Sequence, residues 1–238
     1  ELIAATGNHT ITLLVADLAS QAAVRRLAGQ VRDHTDRLHR LVNNAGTAFA
    51  TRGLTEDGIE RTLAVNHLAP FLLTQLLLPE LQAAAPARIV NVGTRIDTAM
   101  HFDDLNFAER RYGMMRAYGE SKLGNIHFTR ALARRLANSG VTVHCVFPGV
   151  FRSNLGGTDG AQPLALKLFA RLFGWALPSP EQAARRVLYL LESDAAAELN
   201  GAYVGDRRPI RAPAQADDPT ANERLWRLSC EMTGLQAD

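Results

Sequence analysis

The sequence predicts an α/β fold built on a parallel sheet. Three observations predict it. Short apolar runs alternate with amphipathic helical patterns, as βαβ units do. Two of those runs stop at small residues, Asn43-Asn44-Ala45-Gly46 and Pro148-Gly149, at what would be one rim of the sheet. The chain has 238 residues, 47% hydrophobic and 21% charged, which fits one globular domain over 1–238.

Each element has its own reason. ELIAATGN reads as the last turn of a helix and its exit loop, and residue 1 is Glu, so the start is expected to be cut or processed. Ile11–Val15 (ITLLV) has a buried-strand pattern ending at Asp17. Ser20 caps a helix expected to reach about Asp33. Leu38–Asn43 is a second strand. Glu56 to about Gln82 is helical, with Pro70 forcing a break or kink. Arg88–Val92, Val141–Phe147 and Ala202–Val204 are further strands, and Tyr118–Asn138 is a long amphipathic helix. Ser179-Pro180-Glu181 starts a helix running to about Glu192. Residues 206–217 read as a surface loop and 219–233 as a terminal helix. Residues 152–178, with several glycines and prolines and then a greasy LALKLFARLFGWAL, read as a lid over a pocket. Leu164, Leu168 and Leu172 would be either core or the lining of an apolar pocket. Lys167 and Arg171 flank them, which also suits weak contact with a membrane surface.

Composition excludes several function classes. Lys plus Arg is 26 and Asp plus Glu is 24, a net charge of +2, so nucleic acid has no electrostatic footprint here. Cys145 and Cys230 form neither a metal-spaced pair nor a disulfide framework, which fits a reducing, cytoplasmic setting. No run reaches the roughly 18 apolar residues of a membrane span, and no secretory signal is visible. The scattered histidines make no metal motif. Ser121 lies in GESKL, which lacks the second glycine of a nucleophile elbow. His67 reads as a packed helix residue, and Arg134-Arg135 and Arg185-Arg186 as solvated helix faces.

The chemistry concentrates in Tyr118-Gly119-Glu120-Ser121-Lys122. Tyr and Lys at i and i+4 share a helix face, about 5–6 Å apart at Cβ. A phenol with a pKa of about 10 is a poor base at neutral pH, and a nearby ammonium lowers that pKa. Such spacing alone is common on helix surfaces. Here Asn44-Ala45-Gly46 offers a close backbone approach for a nucleotide, and Asp17-Leu18 ends a strand where a carboxylate could face an adenine amino group.

Together these pieces resemble the short-chain dehydrogenase/reductase family, in particular its retinol-dehydrogenase-like branch. The matching stretches are ADL at 16–18, NNAG at 43–46, VNHLAPFLLT at 65–74, RIVNV at 88–92, AYGESKLGN at 117–125 and FPGVFRS at 147–153. The resemblance covers essentially the whole chain. It implies a Rossmann-type doubly wound parallel sheet and hydride transfer between NADP or NAD and an alcohol/carbonyl pair on a small, apolar substrate. It implies that Tyr118 is the acid/base, that Lys122 lowers its pKa and holds the nicotinamide ribose, and that Asn66 anchors a proton-relay water. It also implies that Asp17, Leu18, Asn44, Ala45, Gly46, Pro148, Gly149 and Phe151 line the cofactor, and that a homo-oligomer pairs through the long helices.

Two departures stand out. Gly93-Thr94 replaces the family's Ser-Ser, so Thr94 either supplies the hydroxyl that binds the substrate oxygen or simply ends the strand. The family's glycine-rich pyrophosphate turn has no counterpart, since Gly7 is the only glycine before Gly29. The first βαβ portion is thus expected to be lacking, so that the strands at 11–15 and 38–43 lose the partners between them and expose edges, with poor folding or weak cofactor binding. The alternative expectation is a truncated, non-catalytic scaffold that binds no cofactor.

Overall fold

The structure is a computed structural model that describes residues 2–95, 97–149 and 179–237. The element order is α1 (Leu2–Thr6), α2 (Gln21–His34), β1 (Arg40–Asn43), α3 (Arg61–Leu63), a π turn (Ala64–Leu68), α4 (Ala69–Leu76), α5 (Leu78–Ala83), β2 (Ala87–Val92), α6 (Met114–Arg135) and β3 (Val141–Val146). After these come α7 (Pro180–Glu192), β4 (Tyr203–Gly205), β5 (Arg208–Pro209), α8 (Ala214–Asp217) and α9 (Pro219–Thr233).

The sheet runs β1-β2-β3-β4-β5. β1 to β4 are parallel, and β5 turns back antiparallel on β4. Register sets Asn43 beside Asn91, Asn91 beside Cys145, and Cys145 beside Tyr203. One row of residues therefore crosses the sheet on a single face.

β2 is buried along its whole length, so it has an apolar or hydrogen-bonded residue on each face. On one face Ala87 and Ile89 meet Phe71 of α4, Phe128 and Leu132 of α6, and Trp226 of α9. On the other, Val90 and Val92 join Val146 and Val204 under Leu190 and Leu191 of α7. The result is helices on both faces of a mostly parallel sheet.

Local chemistry explains the helix ends. Ser20 caps α2, its hydroxyl accepting from the Ala23 N–H at 3.3 Å. Asp218 caps α9 the same way through Thr220, Pro219 opens it, and Gly234 closes it with φ of 65°. The expected helix from Glu56 begins instead at Arg61. The Glu60 carboxylate accepts from the Thr62 and Leu63 N–H groups at 2.9 Å each, while Thr55–Gly58 forms a turn. The helix then breaks twice. The π turn precedes Pro70, whose missing N–H upsets the α-helical ladder, and the second break at Leu77 precedes Pro79.

One expected strand is absent. Ile11–Val15 joins no sheet, and Leu13 and Val15 are 83% and 80% exposed. A strand is stable only when its backbone groups find a ladder, and no described residue pairs with this segment. The expected loop at 206–217 is more ordered than its composition suggested, since it holds β5 and α8. The lid expected at 152–178, with Leu164, Lys167, Leu168, Arg171 and Leu172, lies outside the described residues.

Candidate active site

The C-terminal ends of β1, β2 and β3 and the N-terminal half of α6 share one rim. Beyond β1, Asn44, Ala45 and Gly46 are exposed. A Cβ added to Gly46 would lie 2.9 Å from Lys122 Nζ and 3.4 Å from Asn66 Oδ1. Glycine is therefore what lets this backbone run against the lysine.

Asn66 sits in the π turn and is fully buried. Its Oδ1 accepts from Thr47 N–H at 2.8 Å, and its Nδ2 donates to Thr47 O at 2.8 Å and to Ser121 Oγ at 2.9 Å. Ser121 Oγ donates in turn to Tyr118 O at 2.8 Å. The Asn66 side chain thus clamps the exit of β1 to the first turns of α6.

Lys122 is 3% exposed, and its Nζ donates to Val92 O at 3.0 Å. Burial brings its pKa down to about 8, while the neighbouring Cys145 works the other way. Burial pushes the Cys145 thiol up to about 12, so it stays neutral. Tyr118 is half-buried. Burial raises its pKa above the ordinary phenol value, and a hydrogen bond with the Thr94 side chain pulls back toward it. The expected lowering of the Tyr118 pKa by Lys122 is not found here. Lys122 Nζ lies 6.0 Å from the Tyr118 ring centre and spends a proton on the strand carbonyl, so burial decides the sign.

Thr94 follows β2, and its side chain is near enough to Tyr118 to act on the phenol's pKa. The glycine before it has a steric reason: a Cβ on Gly93 would lie 2.8 Å from Cys145 Sγ. Past β3, Pro148 is buried and Gly149 adopts φ of 93°. Arg186 of α7 donates to Pro148 O at 2.8 Å.

The structure brings together Gly46, Asn66, Thr94, Tyr118 and Lys122. Asp17 is different. It follows an unpaired segment and not a strand, and its carboxylate accepts locally from Ala19 N–H at 2.8 Å. Leu18 packs against the Val24, Ala69 and Leu72 cluster. Phe151 lies outside the described residues. Sequence reasoning overlooked Thr47 and Asn125, weighed Ser121 only as a nucleophile, and misplaced Arg186. Of these, Arg186 was read as a solvated face, as was Arg135, which instead pairs with Glu223 and covers Trp226. His67 is packed as expected, with Nε2 2.9 Å from Ser229 Oγ.

The model of the family described as short chain dehydrogenase matches residues 1–163. The chain belongs to the short-chain dehydrogenase family. Similar sequences include several retinol dehydrogenases. Retinol dehydrogenase 13 from Homo sapiens is 40% identical over 237 residues, 98% of this chain and 71% of that protein. Retinol dehydrogenase 12 from Mus musculus is 36% identical over 238 residues, 99% of this chain and 74% of that protein. Among solved structures, an uncharacterised protein from Mycobacterium Paratuberculosis aligns with TM-score 0.72 and 31% identity over 94% of this chain and 75% of its own. The Pseudomonas aeruginosa RhlG/NADP active-site complex aligns with TM-score 0.60 and 29% identity, covering 81% of this chain and 74% of that one. This short-chain dehydrogenase is accordingly an oxidoreductase with a Rossmann-type fold. No helix among its described residues is long and apolar enough to cross a membrane.

Proposed function

We propose that this short-chain dehydrogenase interconverts an alcohol and an aldehyde or ketone on an apolar small molecule, using NADP or NAD. The observation that carries this reading is the buried Lys122 and Asn66 pair packed against the Gly46 backbone, with Tyr118 one helical turn before Lys122 on α6. The retinol dehydrogenase relatives support the alcohol/aldehyde class. The NADP in the RhlG complex favours NADP over NAD.

The residues present fit one end of such a cofactor. Gly46 leaves a cradle against Lys122 Nζ that any Cβ would fill, and Asn44 and Ala45 are open beside it. Lys122 and the 44–46 backbone would hold the nicotinamide ribose, and Pro148 and Gly149 the ring. When bound, the group supplies or accepts the hydride.

The chain's own residues handle the oxygen and its proton. Thr94 donates a hydrogen bond to the substrate oxygen and fixes its position. Tyr118 is kept protonated at neutral pH by its burial. In the reductive direction its phenol gives the proton to the oxygen as negative charge develops there. The Lys122 ammonium then stabilises the phenolate, and Asn66 holds the β1 exit and α6 at the spacing this needs. In the oxidative direction the same proton returns to Tyr118.

The test is NAD(P)H oxidation with a series of apolar aldehydes, retinaldehyde among them, against Tyr118→Phe. We expect the variant to lose on the order of 100-fold or more in kcat with cofactor binding retained. Equal rates in the two proteins would sink the assignment of Tyr118.

A further inference from the structure

The polar network behind Lys122 contains a residue that the proposed chemistry has not used. Tyr118, Lys122 and Asn125 lie at i, i+4 and i+7, so they form one stripe of α6. Asn125 is 1% exposed. Its Nδ2 donates to Asn66 O at 3.0 Å and to Val92 O at 3.5 Å. Its Oδ1 faces His67 Nδ1 at 3.4 Å. The Thr129 hydroxyl on the next turn links Asn91 to Asn125's own carbonyl, at 2.9 and 2.8 Å.

Both acceptors matter. In an α-helix the Asn66 carbonyl would take the N–H of residue 70, and that residue is Pro70, which has none. The Asn125 carboxamide supplies a donor from outside the helix. The Val92 carbonyl ends β2 two residues before Thr94, and it is the same oxygen that Lys122 Nζ grips at 3.0 Å. One carboxamide thus touches the π turn that carries Asn66, the strand end that carries Thr94, and the oxygen that anchors Lys122.

We propose that Asn125 is a positioning residue, whose carboxamide shares the load of the Val92 and Asn66 carbonyls so that Lys122 stays aimed at the crevice. The inference rests on the proposed reaction for its kinetic consequence, and on geometry alone for its effect on Lys122. Without that N–H pair, the Asn66 carbonyl loses its Asn125 donor and the Val92 carbonyl is left with the Lys122 ammonium as its side-chain donor. The ammonium is then drawn inward, away from Gly46 and the Tyr118 phenol. The titratable groups around it are Tyr118 and Cys145, and both stay neutral at physiological pH.

The experiment compares wild type with Asn125→Leu and Asn125→Asp. Asn125→Leu removes donor and acceptor at similar volume. Asn125→Asp keeps the acceptor for His67 and serves if the leucine variant fails to fold. The sequence has two lysines, Lys122 and Lys167, so a lysine 13Cε NMR titration is readable, with Lys122→Met as the assignment. We expect the Lys122 titration to move upward in both variants, further in Asn125→Asp. We expect kcat to fall about 10- to 100-fold, with the cofactor KM nearly unchanged. A lowered melting temperature with unchanged kcat and unchanged Lys122 titration would make Asn125 merely structural and overturn the proposal. If wild type and Tyr118→Phe turn out equally inactive, the proposed reaction fails. The Lys122 titration still decides about Asn125 in that case: an upward move supports the positioning role, and no move refutes it.

Discussion

The pair Gly93-Thr94 illustrates how one residue constrains its neighbour. The position before Thr94 accepts no side chain because Cys145 Sγ occupies the space. Gly93→Ser should therefore destabilise the fold by about 1–3 kcal/mol through overpacking. Cys145→Ala in the same chain should restore most of the melting temperature, and a thermal scan of both checks this. Lys122 predicts a pH dependence. Its charged form is already disfavoured by burial, so the ammonium that supports Tyr118 is present below a pKa of about 8 and lost above it. Reductive kcat should hold at neutral pH and fall as pH rises through about 8. Lys122→Arg, which keeps its charge, should shift that falling limb to higher pH even if the overall rate drops. A wild-type profile flat through pH 8 to 10 would remove Lys122 from the proton chemistry.

At the scale of elements, the segment from β2 to α6 is held against α6 by charge. Glu120 lies between Tyr118 and Lys122 on α6 and is 3% exposed. Arg110 meets it with two nitrogens, at 2.8 and 3.2 Å, and also bonds Asp104 at 3.2 Å and stacks on Phe107. His101 adds a contact at 3.2 Å. Removing Arg110 would strand a buried carboxylate, a loss of about 3–5 kcal/mol. Arg110→Ala should lower the melting temperature strongly, whereas Arg110→Ala with Glu120→Gln should recover much of it. Hydrogen exchange should speed up in 101–112 in the single variant. The YGESK motif made Lys122 and Tyr118 legible in the sequence. It said nothing of Glu120, because its partner comes from a loop with no periodic pattern.

At the scale of the whole molecule, three histidines are buried in the described core. Burial brings His67, His127 and His144 each from 6.5 down to about 4. A lowered folded pKa means that the neutral form belongs to the fold. That contribution is complete above pH 6.5 and is lost as pH falls from 6.5 toward 4. Each site could cost on the order of 3 kcal/mol once protonated in place. We expect urea midpoints to be level above pH 7 and to drop steeply between pH 6 and 4. His144→Asn should flatten part of that slope. The free edge of β1 is the other whole-molecule feature. Val42 is 37% exposed there, and no described strand pairs beyond it.

Much of the fold was readable from local pattern. α2, β2, β3, α7 and α9 lie within a few residues of where apolar period, caps and prolines put them, because those signals act over a turn or less. The residues of the candidate site were also named in advance, since the motifs carry Asn66, Tyr118 and Lys122 in a characteristic order and Thr94 stands where they depart from it. The sequence could not decide what depends on partners far along the chain. Ile11–Val15 has the composition of a strand and no ladder to join. Burial raises the Tyr118 pKa, opposite to expectation, while Lys122 Nζ turns to Val92 O, a contact across 30 positions. Asn125 gains its significance only when Pro70, the π turn and the end of β2 meet around it. Propensity and motif chemistry are properties of neighbours in sequence. Pairing, burial and the direction of a buried ammonium are properties of neighbours in space, and only the packed chain determines those.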